Sequence, residues 1–324
     1  MASFRDFGND LYSGKRSIEF VGRRKTWYAV AIVVILLAVI APILRGGFTF
    51  GIEFTGGSEF RIDGVSSQGE SVATEVVNDL FPEADSVVTT VGTDSIRVQT
   101  EQLQDLESEE LRLALADAYG VEGGEVASSF IGPNWGADVT NQAIQGLVVF
   151  LVLVSLLMAV YFRSWKMSVA ALAALAHDLI ITVGIYGGLG LEVSPAAIIG
   201  FLTILSYSLY DTVVVFDKVR ENTTDVEFSE NVTFSEQVNL AVNQTLVRSI
   251  NTSVVAVLPV AGILFIGSLI LGAGTLTDIA LALFVGTIVG TYSSVFVAAP
   301  VYAHLRENEQ KYKDAAEKVL ANRA

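Results

Sequence analysis

Apolar residues run from Trp27 to Leu44, and further runs of about that length follow Ala143. Between them lies a polar block of roughly ninety residues. A bilayer core about 30 Å thick takes about 20 helical residues. The pattern therefore predicts six spans, at about 27–44, 143–162, 167–189, 196–216, 246–269 and 278–301. Val193, Ser194 and Pro195 form a tight connection between the third and fourth. The expected plan is a polytopic α-helical membrane protein of one span, a folded block and five spans. Its parts are an N-terminal segment 1–26, span 27–44, a domain 45–142, a five-span bundle 143–301 with a loop at about 217–245, and a tail 302–324. The first run does not read as a cleaved signal. A polar leader of 26 residues precedes it, and Pro42-Ile43-Leu44-Arg45 offers no small-x-small site.

The polar block has its own periodicity. Glu59–Ile62 alternates as a strand does, and Val72, Val76, Val77 and Leu80 recur at helical spacing before Pro82. Asp85–Val91 and Ser95–Thr100 are β-rich, and Gly92-Thr93-Asp94 between them signals a hairpin. Leu103–Tyr119 reads as a helix with Leu106, Leu111, Leu113, Leu115 and Ala118 on one face, and Val126–Ile131 as a last strand. The order β-α-β-β-α-β predicts an α+β, ferredoxin-like split βαβ domain.

Composition agrees with the membrane assignment. Hydrophobic residues make up 52% and charged residues only 17%, against about 25% in soluble domains. Basic residues orient the chain. Six precede span 1, Arg163 and Lys166 join spans 2 and 3, Lys218, Arg220 and Arg248 flank the next such loop, and five lie in the tail. The connections near 190–195 and 270–277 carry none. Both termini are thus expected in the cytoplasm and the polar block outside. The acidity belongs to that block: residues 46–138 hold 18 Asp and Glu against Arg61, Arg97 and Arg112, which accounts for the whole chain's −15. Solubility near anionic headgroups explains this, as does weak attraction of basic segments of a passing partner. It argues against nucleic acid. With no cysteine, the block is not stapled by disulfides. No metal-ligand cluster, phosphate-binding glycine loop or nucleophile–base spacing occurs, so neither a cofactor nor an enzyme is expected.

Candidate functional residues fall into three groups. Two glycine-rich segments flank the block: Gly51, Glu53, Phe54, Gly56 and Gly57 after span 1, and Gly132 and Pro133 before span 2. Either can turn the chain sharply at the membrane surface, as a moving hinge or a plain junction. Asp178, Asp211, Arg248 and Asp278 are charges within or beside the bundle. A charge in a bilayer core costs at least about 2.5–3.5 kcal/mol, so function is its default reading. Depth permits an Asp211–Arg248 pair, with Ser206, Tyr207, Ser208 and Thr212 as a polar seam around Asp211. Asn251, Thr252 and Ser253 make a second seam near Arg248. Asp178 lies deeper, beside His177; Asp278 suits a helix N-terminus. A structural ion pair is the plainer reading of Asp211 and Arg248, and bundle packing that of His177. Pro259 is expected to kink span 5. Third, Gly286, Gly290 and Ser294 form a small-residue face on span 6, against another span or a partner subunit.

Several of these strings resemble one family. Gly51–Gly57 is similar to the G-x-D-F-x-G-G motif of the SecF family of protein-export membrane subunits, with Glu53 for its Asp. Ala176-His177-Asp178 resembles its intramembrane His-Asp. The stretch 210–222, Tyr-Asp-Thr-Val-Val-Val-Phe-Asp-Lys-Val-Arg-Glu-Asn, resembles N-D-T-V-V-V-F-D-R-V-R-E-N, with Tyr210 and Lys218 as departures. Residues 243–253 and 290–294 resemble the family's fifth and sixth spans. The resemblance covers residues 20–305. It implies a prokaryotic plasma-membrane subunit that pairs with SecD beside the SecYEG channel, with YajC as a further associate. Such a subunit belongs to the resistance–nodulation–division superfamily and uses the proton-motive force to promote preprotein export. Asp178, Asp211 and Arg248 would then serve as proton-relay residues. The alternatives are a passive scaffold subunit and a related half-transporter for lipid or drug.

Overall fold

The computed structural model describes residues 4–65, 69–91, 95–224, 226, 231–267 and 274–323. Among them, six helical stretches are long and apolar enough to cross a membrane: Arg24–Leu44, Asn134–Phe162, Trp165–Leu189, Pro195–Thr223, Phe234–Gly267 and Thr277–Arg306. The chain is a multi-pass membrane protein. Its helices are α1 (Phe4–Tyr12), α2 (Arg24–Leu44), α3 (Ile52–Thr55), α4 (Glu70–Leu80), α5 (Asp105–Tyr119), α6 (Pro133–Phe162), α7 (Trp165–Leu189), α8 (Pro195–Thr223), α9 (Phe234–Gly262), α10 (Gly274–Ser293), α11 (Ala299–Arg306) and α12 (Gln310–Arg323). The sixth span joins α10 to α11 through a π-helical turn, Ser294–Ala298; another, Ile263–Gly267, ends the fifth span one turn after Pro259.

The polar block carries its strands and helices in the order read, with differences in detail. β2 (Gly57–Ile62), β3 (Ser86–Val91), β4 (Ser95–Thr100) and β5 (Val126–Ile131) form a sheet of order β3-β4-β2-β5. Every neighbouring pair is antiparallel. β2 and β3 therefore run parallel on either side of β4, and α4 crosses between them. Phe60, Ile62, Ile96 and Val98 point from one face into a core closed by Ala73 and Val77 of α4 and Leu111 and Leu115 of α5. The expected apolar face of α5 is corrected. Leu106 is 85% and Leu113 51% exposed, and the buried positions are Leu111, Leu115, Ala116 and Tyr119. Steps of four keep Leu111, Leu115 and Tyr119 on one face, from which Leu113 turns away. The hairpin tip Gly92-Thr93-Asp94 lies outside the described residues.

The bundle has an inner and an outer set of helices. About half of each apolar stretch is buried in the third, fourth and sixth spans, but 17% or less in the first, second and fifth. Glycines bring the inner helices close. A Cβ on Gly286 would lie 2.2 Å from Ile204 and one on Gly200 2.6 Å from Ala282, so α8 and α10 touch almost backbone to backbone. Gly184 plays the same part toward Ala38 of α2.

The helices run beyond the expected spans. α6 starts at Pro133, ahead of the apolar run expected from 143. Gly132 is its extended N-cap and Pro133 its first residue, where a missing N–H costs nothing. The segment 131–136 thus runs from the last residue of β5 through the N-cap Gly132 into the first turn of α6. The expected loop 217–245 shrinks to the stretch between Thr223 and Phe234. α8 continues because Val219 and Thr223 are buried, and α9 begins early because Thr233 and Glu236 form a capping box. The polar leader is docked, too: Asn239 Oδ1 accepts from the backbone N–H of Phe20 at 2.8 Å, and Asn243 Oδ1 from that of Ile18 at 2.8 Å.

Candidate functional site

Two intramembrane carboxylates are brought together by α7, α8, α9 and the sixth span. Asp178 lies 13 residues into α7, about 20 Å along it at 1.5 Å per residue. Its side chain is fully buried. Ser208 Oγ of α8 and Ser293 Oγ of α10 both donate to Asp178 Oδ2, at 2.5 and 2.8 Å. Asp178 Oδ1 lies 3.0 Å from His177 Nδ1. Three steps past Ser208 on α8, Asp211 is 4% exposed. Its Oδ1 accepts from Ser249 Oγ of α9 at 2.8 Å, and its Oδ2 from Ser294 Oγ. Consecutive serines, Ser293 and Ser294, therefore serve different carboxylates.

These donors are nearly all hydroxyls. A hydroxyl both donates and accepts and can turn about its bond. Each carboxylate can thus be held as an anion or as an acid without a change of heavy-atom partners. A second layer extends the chain of hydroxyls. Tyr207 OH donates to Ser253 Oγ at 3.2 Å, Ser253 Oγ meets Thr291 Oγ1, and Ser253 Oγ also donates to the Ser249 carbonyl at 2.8 Å. His177 stacks on Tyr292 with ring centroids 5.8 Å apart. Among the described residues, His177 Nε2, Thr212 Oγ1 and Tyr292 OH are buried without hydrogen-bond partners.

The expected Asp211–Arg248 pair is not formed. Asp211 takes Ser249 instead. Arg248, one residue earlier, turns about 100° around α9 and is exposed. It forms no ion pair among the described residues. Asp278 also differs from a helix-end residue. Its carboxylate accepts from Ser194 Oγ at 2.8 Å, and its carbonyl accepts from Tyr186 OH at 2.5 Å, tying α10 to the start of α8 and to α7. Gly286 and Gly290 face Ile204 and Ser208 of α8, so the small-residue face packs within the chain. Tyr210 is 54% exposed and turned away from the cluster. The roles of Ser249, Ser293 and Ser294 as carboxylate donors were missed. Their signal was hydroxyls beside glycine and arginine in spans otherwise apolar.

A second polar centre sits where the polar domain meets the bundle. β1 (Thr49–Phe50) pairs in parallel with β6 (Glu192–Val193) in the connection between α7 and α8. Glu192 receives Arg97 Nη1 and Gln99 Nε2, the latter at 2.7 Å. Gln99 also donates to Glu59 at 3.1 Å. Glu59, Arg97 and Gln99 lie on the polar face of the sheet, opposite its core. Glu53 of α3 is close by. Burial pushes its carboxyl up from the ordinary value, Glu192 and Glu59 push it further, and Arg97 opposes them. The two glycine segments meet here. A Cβ on Gly136 would strike the Phe54 carbonyl at 2.4 Å, and one on Gly57, at φ +134°, would strike that of Thr100 at 2.3 Å. Gly56 also has positive φ, while Gly51 and Gly132 have ordinary extended backbone. The described residues contain no group of three or more His, Cys, Asp or Glu able to hold a metal ion.

Comparison with known proteins gives this geometry its context. The family described as "Protein export membrane protein SecD/SecF, C-terminal" matches residues 114–308. The protein translocase subunit SecF of Streptomyces coelicolor is 43% identical over all of this chain and 86% of its own length. That of Mycobacterium leprae is 42% identical over 97% of this chain and 69% of its own. The crystal structure of SecDF, a translocon-associated membrane protein from Thermus thermophilus, superposes with a TM-score of 0.77 at 32% identity. That match covers 90% of this chain and 39% of the SecDF chain, which is accordingly much longer. With full-length identity above two fifths and a solved relative of the same architecture, the chain belongs to the SecD/SecF family of protein export membrane proteins.

Proposed function

We propose that this chain acts as a SecF subunit: with SecD, it uses the proton-motive force to promote export of preproteins through SecYEG. In this reading it lies in the plasma membrane of a prokaryote with both termini cytoplasmic and the polar domain outside, and YajC is a further associate. One observation carries the proposal. Asp178 and Asp211 are buried in the bundle, held by serine hydroxyls and, at Asp178, also by His177, with no lysine or arginine hydrogen-bonded to either among the described residues, and linked through the adjacent Ser293 and Ser294. A carboxylate held by hydroxyls keeps its partners in either form, because each hydroxyl can turn to donate or accept. Such a group can exchange a proton when its surroundings change. Arg248 supports a partner subunit: an exposed charge on α9 without an ion pair among the described residues would be neutralised by a second chain beside that helix.

The same hydrogen bonds favour one rival. They fasten α7, α8, α9 and the sixth span together, as a passive scaffold would require. The test is Asp178→Asn and Asp211→Asn, which keep shape and lose the titrating proton. Both variants should co-purify with SecD and lose the proton-stimulated part of preprotein export. Unchanged proton stimulation in both would end the relay reading, and failure of assembly would make the carboxylates structural. Arg248→Lys should impair export less than Arg248→Met, because charge outweighs fork geometry in an electrostatic role.

A further inference from the structure

The ends of α6, α7, α8 and α11 and the start of α12 enclose a cavity of about 360 Å³ on the side of the bundle where both termini lie. Among the described residues, its walls carry Arg163, Lys166, Arg220, Arg306 and Lys311 together with the carboxylate of Glu309. Glu309 is already engaged: Lys166 Nζ lies 2.9 Å and Arg306 Nε 3.6 Å from its Oε1. Arg163 and Arg220 form no ion pair among the described residues. Arg220 Nη1 donates to the Tyr161 carbonyl at 3.4 Å. A concave site in which Arg163 and Arg220 have no ion pair among the described residues presents two adjacent guanidinium groups, and the chemistry that fits them is a phosphate or phosphodiester.

Its depth says which source. Arg163 and Ser164 are the whole connection between α6 and α7, so the cavity cannot stand far from the bilayer surface. Trp165 is 65% and Tyr161 50% exposed at the same level, as aromatic residues are in the headgroup belt. α7 presents the positive end of its dipole there, and Ser164 gives its first turn no side-chain cap. Arg163 is the one residue other than glycine at positive φ among those described, at 51°. A glycine would take that angle without strain and bring no charge. Basic pockets between spanning helices suit anionic headgroups.

We propose that this cavity binds the headgroup of an anionic phospholipid, with Arg163 and Arg220 as the phosphate ligands. The site lies apart from the carboxylate cluster and does not depend on its role. The full chain, purified in a neutral detergent, would be titrated with phosphatidylglycerol, phosphatidylcholine and inorganic phosphate and read by native mass spectrometry. Saturable phosphatidylglycerol binding is expected, with phosphatidylcholine much weaker and phosphate unable to displace the lipid. Each basic side chain near such a surface is worth about 1 kcal/mol, so Arg163→Gln with Arg220→Gln should weaken binding on the order of tenfold or more. Arg163→Lys with Arg220→Lys should retain most of it, since lysine also binds phosphate. Arg23→Gln with Lys25→Gln removes equal charge elsewhere on that side and should have little effect. An equal loss in that control would overturn the site in favour of general surface attraction. Displacement by phosphate would overturn the lipid assignment, and equal binding of phosphatidylcholine would overturn charge recognition altogether. Both exposed arginine variants should unfold at the parent temperature.

Discussion

Glu53 is the residue in which motif and environment combine. Its raised carboxyl makes docking of the polar domain dependent on pH, and the sign follows from linkage. A group whose pKa is higher in the docked state binds protons on docking. Its contribution is fully present below the ordinary value of 4.5 and is lost as pH rises through the raised value. The Gly51 N–H, bonded to the Val193 carbonyl at 3.1 Å, reports this directly. Its hydrogen exchange, corrected for the intrinsic rate, should become less protected as pH rises from 4.5. Glu53→Gln should flatten that dependence; an unchanged profile in that variant would assign it to another group. Glu53 was legible as part of a glycine motif. Its surroundings were not, because Arg97 and Glu192 stand 95 residues apart in the chain. Arg248 teaches the converse. Depth allowed it to reach Asp211, but depth says nothing about the angle around α9, and Ser249 holds the facing position.

At the scale of elements, the long apolar runs were legible because hydropathy acts over a whole helix. So were the strands, whose alternation is local. Helix ends were not. α8 and α9 continue past the apolar zone on buried side chains supplied by distant parts of the chain, such as Phe234 against Tyr302 and Tyr312. The contact between α8 and α10 depends on glycine rather than on greasy surface. Gly286→Val would force a methyl into Ile204, where the Cβ alone already comes to 2.2 Å. Overpacking of this kind costs about 1–3 kcal/mol. A lower unfolding temperature is expected, measured in detergent. Gly262→Val, with nothing within 4 Å of its Cβ, is the comparison and should change it little. Equal destabilisation by both would mean that the close approach is not what Gly286 provides.

The whole molecule has two unlike polar ends. One is the strongly acidic domain. The other is built from both termini, with the leader tied to α9 and Arg24 paired to Glu307 at 2.6 Å. In the proposed orientation, a cysteine replacing Asp105 should react with a membrane-impermeant thiol reagent in intact cells, and one replacing Lys318 should not. The opposite pattern would invert the protein. Between the two ends runs the serine pair of the sixth span. Ser293 closes α10, and Ser294 opens a π-helical turn, a rare geometry that recurs at functional sites. Because neighbouring residues grip different carboxylates, a rotation of this backbone bears on both at once. If both carboxylates take up protons as proposed, the two sites share a coupling free energy. Whatever proton occupancy at Asp178 does to the affinity of Asp211, occupancy at Asp211 must do in equal measure to Asp178.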